Sequence, residues 1–113
     1  MEALNGPPGF GFINFVTGSL AGSTIQLNKP ALTIGREPGN DIIVTDPSVS
    51  RRHAQITLSG GVWTITNLSE KNTVTVNQRD VPPSQQALIG ARDTITLGPL
   101  VVRATSTTYT LSR

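Results

Sequence analysis

Short runs in which apolar and polar residues alternate, each closed by a turn signal, follow one another along almost the whole chain. They are INFVT from residue 13, STIQL from 23, ALTIG from 31, DIIVT from 41, HAQITLS from 53 and VWTITNL from 62. TVTVN from 73, QALIG from 86, DTITL from 93, LVVRAT from 100 and TYTLS from 108 complete the set. A repeat of two puts successive side chains on opposite faces of a strand, so each run reads as a half-buried β-strand. Asn28-Lys29-Pro30, Pro38-Gly39-Asn40, Asp46-Pro47, Gly60-Gly61, Pro82-Pro83 and Gly98-Pro99 separate them, and each contains residues suited to turns. Ser59-Gly60-Gly61, between two alternating runs, is a hairpin signal. No window of a dozen residues carries helical spacing, and SQQALIGAR, from Ser84 to Arg92, is assigned to strand and loop. The expected fold is all-β, a sandwich of about eleven mostly antiparallel strands with loops gathered at its ends.

The length of 113 residues allows one domain with a proper core and leaves no room for a second. Residues 1–11 hold Gly6, Pro7, Pro8, Gly9 and Gly11 and read as a flexible leader or linker remnant, with the domain occupying 12–113. The hydrophobic share of 36% is drawn mostly from Val, Ile and Leu, which favour pleated sheets. Without cysteine the chain has no disulfide, no thiolate zinc ligand and no thiol nucleophile. One histidine and scattered carboxylates make no metal cluster, and no cofactor is expected. The start lacks a signal peptide's basic segment and apolar run, which places the protein in the cytoplasm. Trp63 alternates in register with Ile65 and is assigned to the core.

Three polar constellations interrupt the strands. Gly35-Arg36-Glu37 follows ALTIG, where glycine permits close backbone approach and arginine projects a rigid charged fork. Ser48-Val49-Ser50-Arg51-Arg52-His53 is a donor-rich turn leading into HAQI. Like charges so close together repel unless something anionic sits among them. Asn67-Leu68-Ser69-Glu70-Lys71-Asn72-Thr73 precedes VTVN, and Asn72 and Asn77 can cap turns or take left-handed backbone.

IGRE at 34–37, D-x-x-V-S-R-R-H at 46–53, N-L-S-x-x-N at 67–72 and V-N at 76–77 together resemble the forkhead-associated domain, in order and spacing, from about residue 13 to the C-terminus. The resemblance implies a β-sandwich that performs no catalysis and binds phosphothreonine in a partner, a Ser/Thr kinase or its substrate. A phosphothreonine carries about −1.5 to −2 charge at pH 7, so clustered arginines that repel in its absence become favourable in its presence.

On this resemblance Arg36 is the principal phosphate ligand and Ser50 donates its hydroxyl to the same group. Arg51 supplies a second phosphate contact, and Arg52 lines the rim or points outward. Asn72 bonds the peptide backbone beside the phosphorylated residue, and Lys71 adds charge. Gly35, His53 and Asn77 support the site, His53 by holding the serine turn. Ser48 and the Gly98-Pro99 turn read the residues flanking the phosphothreonine.

Two departures stand out. Thr73 and Gln78 occupy positions where many members of the family have glycine, so the third loop is expected to differ in shape if positive φ is needed there. Three alternatives compete with phosphopeptide binding. One is a structural sandwich that has lost its ligand, and another is an arginine-rich nucleic-acid-binding β domain. The last is a hydrolase using Ser50, His53 and either Asp46 or Asp93, although no G-x-S-x-G elbow is present.

Overall fold

The computed structural model describes residues 11–27, 29–59, 62–90 and 92–106. Eleven strands run in chain order: β1 (Gly11–Phe15), β2 (Thr24–Gln26), β3 (Ala31–Gly35), β4 (Ile42–Ile43), β5 (Ala54–Ser59), β6 (Val62–Asn67), β7 (Val74–Val76), β8 (Arg79–Asp80), β9 (Gln86–Ile89), β10 (Thr94–Leu97) and β11 (Leu100–Ser106). They form a six-stranded sheet, β2-β1-β11-β10-β7-β8, and a five-stranded sheet, β4-β3-β5-β6-β9. All pairings are antiparallel except β3 with β4.

The alternation seen in the sequence becomes the packing. Ile13 and Phe15 of β1, Ile95 and Leu97 of β10 and Val102 of β11 face inward from one sheet. Leu32 and Ile34 of β3, Ile56 of β5 and Ile65 of β6 face inward from the other, and all join one buried cluster. Each fully buried aliphatic side chain contributes roughly 1.5–3 kcal/mol relative to exposure. That interlocked interior makes the loops between strands rigid mounts. Trp63 is half-buried and packs on the cluster.

Ten of the eleven alternating runs contain a strand. TYTLS, from 108, lies outside the described residues, as do residues 1–10 of the expected leader and the glycines of the Gly60-Gly61 hairpin signal. Ser59 of β5 pairs with Val62 of β6. β1 begins at Gly11, one residue before the expected boundary, and pairs it with Ser106. β8 had no sequence signal, because Arg79-Asp80 carries no apolar residue. It forms because Asn77 and Gln78 make a two-residue turn that brings Val76 opposite Arg79. Both turn residues have positive φ, 52° and 71°, the geometry of a type I′ hairpin turn.

Candidate functional site

The link from β3 to β4, the link from β4 to β5, the β6–β7 loop and the β10–β11 turn meet at one end of the sandwich. The Arg36 amide donates to the Ser50 carbonyl at 3.0 Å, and the Glu37 amide to the Arg51 carbonyl at 3.1 Å. This short ladder lays the continuation of β3 against the serine turn. Gly35 makes the approach possible, since a Cβ there would sit 2.2 Å from the Arg51 carbonyl oxygen. Asn40, buried, clamps the same junction by donating from Nδ2 to the carbonyls of Glu37 at 2.8 Å and Arg51 at 2.7 Å.

Arg36 is exposed, yet its side chain is held: Nε donates to the Val49 carbonyl at 2.9 Å. The terminal nitrogens of the guanidinium have no partner among the described residues. The bond at Nε, beside Ser50, fixes the orientation of the fork.

His53 is fully buried under the serine turn. Its Nε2 lies 2.9 Å from the Thr73 carbonyl oxygen, which can only accept, so Nε2 carries the proton. Nδ1 then accepts from the Ser50 amide at 3.2 Å. Burial lowers the His53 pKa below its ordinary value, opposed by the bond to Thr73. The neutral ring thus ties the serine turn to the start of β7. Because both ring nitrogens are engaged and neither contacts the Ser50 hydroxyl, His53 is not placed as a base for a serine nucleophile.

The β6–β7 loop completes the arrangement. Ser69 Oγ accepts from the amides of Lys71 at 3.1 Å and Asn72 at 2.9 Å, and lies 2.7 Å from Ser50 Oγ. With both lone pairs occupied, its hydrogen goes to Ser50. Asn72 Nδ2 also donates to Ser50 Oγ, at 2.7 Å. Ser50 Oγ therefore accepts twice within the protein, and its own hydrogen is left to donate to something else.

Arg51 and Lys71 lie exposed on the two loops that hold Ser50 and Asn72, and their side chains have no partner among the described residues. Arg52 is exposed as well. Ser48 and Gly98 sit together: a Cβ on Gly98 would be 3.2 Å from the Ser48 carbonyl oxygen, and the Gly98 amide donates to the Thr73 carbonyl at 2.8 Å. Pro99, next in that turn, is exposed. Asn77 is not part of this cluster. It stands beyond the far end of β7, bonded to Asp93 at 3.0 Å and to the Thr94 amide at 3.0 Å. Thr73 does not adopt positive φ, so replacing glycine there places no side chain in left-handed backbone.

Three supporting residues were given no role in the sequence reading. Two of them, Ser69 and Asn67, are bonded to each other: the Ser69 amide donates to Asn67 Oδ1 at 2.8 Å, and Asn67 Nδ2 donates to the Val81 carbonyl at 2.9 Å. The N-x-S spacing of an Asx turn was the available signal. Asn40 gave none beyond turn composition, since the Arg51 carbonyl it clamps lies on another loop.

Comparison with known proteins agrees with this geometry. Residues 32–98 match the FHA domain family. The glycogen accumulation regulator GarA of Mycolicibacterium smegmatis is 33% identical over 92 residues, covering 81% of this chain and 56% of that protein. The chain therefore spans little more than half of that relative's length. A solved structure described under phosphothreonine-dependent FHA domain interactions superposes with a TM-score of 0.73 at 29% identity, covering 90% of this chain and 99% of that one. The FHA domain of an Arabidopsis thaliana protein gives a TM-score of 0.83 over 100% of this chain and 99% of its own, and at 24% identity it shows the fold. The matched span includes Arg36, Ser50, His53 and Asn72 on the loops of an eleven-stranded sandwich, and the chain belongs to the forkhead-associated (FHA) domain family.

Proposed function

We propose that this chain is a phosphothreonine-dependent interaction module that binds phosphorylated segments of partner proteins in Ser/Thr kinase signalling, and that it catalyses nothing. The observation that carries the reading is the unspent hydrogen of Ser50 Oγ beside the anchored fork of Arg36. A hydroxyl with only a donor left, next to a guanidinium with free terminal nitrogens, suits an acceptor-only, multiply charged group. Hydrogen bonds of this charged kind contribute roughly 1.5–3 kcal/mol each, so two or three dominate the affinity.

In this reading Arg36 and Ser50 grip the phosphate, Arg51 and Lys71 add charge around it, and Asn72 bonds the peptide backbone with the amide capacity that Ser50 leaves over. Ser48, Gly98 and Pro99 face the flanking residues. The partner carries phosphothreonine and is a Ser/Thr kinase or its substrate, met in the cytoplasm. Among the described residues no helix is long and apolar enough to cross a membrane. Probing an oriented phosphothreonine peptide library beside its unphosphorylated copy tests the reading. Enrichment confined to the phosphorylated set is expected, and equal capture of both sets refutes it.

A further inference from the structure

A groove of about 290 Å³ lies between the β6–β7 loop and the segment after β8. Its apolar wall comes from the exposed Pro82 and Pro83, and Glu70 and Asp80 bring carboxylates to it. Asn72 lines it too. Building on the phosphothreonine reading, we propose that this groove takes a lysine or arginine of the same peptide, a few residues from the phosphothreonine.

Three observations converge on that occupant. The first is continuity: Asn72 borders the groove and donates to Ser50 Oγ at 2.7 Å, so one residue separates it from the phosphate notch. An extended chain advances about 3.3 Å per residue, which brings a nearby side chain over the groove.

The second is rigidity. Buried Asn67 ties the two walls together, taking the Ser69 amide at 2.8 Å on one side and giving to the Val81 carbonyl at 2.9 Å on the other. The backbone bonds from Asn67 to the Gln85 carbonyl at 3.1 Å and from Ser84 to the Asn67 carbonyl at 2.8 Å add to this tie. The groove is formed before any ligand enters it, as binding sites commonly are.

The third is charge. Neither Glu70 nor Asp80 forms an ion pair among the described residues, and Lys71, the cation lining the groove, is the residue assigned to the phosphate. Two unpaired carboxylates over an apolar wall match a side chain with a methylene stem and a cationic head. A cation at the phosphate notch would meet Arg36 and Arg51 instead, so the two neighbouring sites sort a peptide's charges by position.

The test moves a single arginine through each position on either side of the phosphothreonine in an otherwise alanine-rich peptide and titrates each peptide into the whole chain. One position is expected to gain roughly two- to fivefold in affinity. That gain should disappear in the Asp80→Asn, Glu70→Gln double variant, whose affinity for the alanine-rich phosphopeptide stays unchanged. Equal affinity at every position, or a gain that survives in the double variant, overturns the groove assignment while leaving phosphothreonine binding intact. Failure of the alanine-rich phosphopeptide itself to bind overturns the phosphothreonine reading, and this inference with it.

Discussion

The hydroxyls of Ser50 and Ser69 meet at 2.7 Å, nineteen residues apart in sequence, and the direction of that bond follows from what else Ser69 holds. Two loop amides occupy the lone pairs of Ser69, so it must give its hydrogen to Ser50. Asn72 gives a second. A buried serine thereby fixes which way the Ser50 hydroxyl donates.

Ser69→Ala should consequently weaken phosphothreonine-peptide binding and lower the melting temperature together. It strips a donor from Ser50 and leaves the amides of Lys71 and Asn72 without their acceptor, at a cost of about 1–3 kcal/mol. Calorimetric titration and a thermal melt of the same sample check it. Wild-type behaviour in both would remove the relay from Ser69 to Ser50.

Acid should loosen the ligand-free fold through His53. Folding lowers its pKa below the ordinary value of 6.5 because burial penalises the charged ring more than the Thr73 bond favours it. The unfolded chain therefore takes up the proton first as pH falls. Stability is full above about pH 6.5 and declines as pH falls from there toward the folded-state pKa. As the chain has one histidine, the denaturation midpoint between about pH 7 and about pH 5 should fall in the wild type and stay level in His53→Asn. A flat wild-type profile would contradict the neutral, doubly bonded ring.

The β7–β8 turn, at the other end of β7 from Thr73, offers a stabilising change. Gln78 sits at a φ of 71°, where a side chain costs on the order of 1–2 kcal/mol that glycine avoids. Gln78→Gly should raise the melting temperature without altering phosphopeptide affinity, whereas Gln78→Ala should not raise it. A melting temperature equal to or below wild type in the glycine variant would show that the turn is not strained there.

The sandwich was legible because alternation and turn residues are local properties, and ten runs became strands where the pattern placed them. β8 was not, since two charged residues carry no hydrophobic signal and pair only because the Asn77-Gln78 turn folds them back. Motif order brought Arg36, Ser50 and Asn72 forward as candidates, and the fold sets them on adjoining loops. What the sequence could not show was support acting across chain distance. Asn40 clamping Arg51 and Ser69 priming Ser50 exist only once separate loops meet, whereas the family resemblance had already given His53 the holding of the serine turn, which its bonds to Ser50 and Thr73 match. The concern over Thr73 came from reading a backbone need off a residue type; of the two positions where glycine was expected, Gln78 has positive φ and Thr73 does not.

The most direct test titrates one phosphothreonine peptide, and its unphosphorylated copy, into the wild type and into Arg36→Ala. Arg36 is exposed and reaches the protein through a single Nε bond to Val49, so the variant should melt close to wild type. The wild type is expected to bind the phosphorylated peptide and ignore the copy, and Arg36→Ala to lose roughly a hundredfold or more in affinity. Undiminished binding by Arg36→Ala, or equal binding of the unphosphorylated copy, would contradict a site built to hold a phosphate between that guanidinium and the Ser50 hydroxyl.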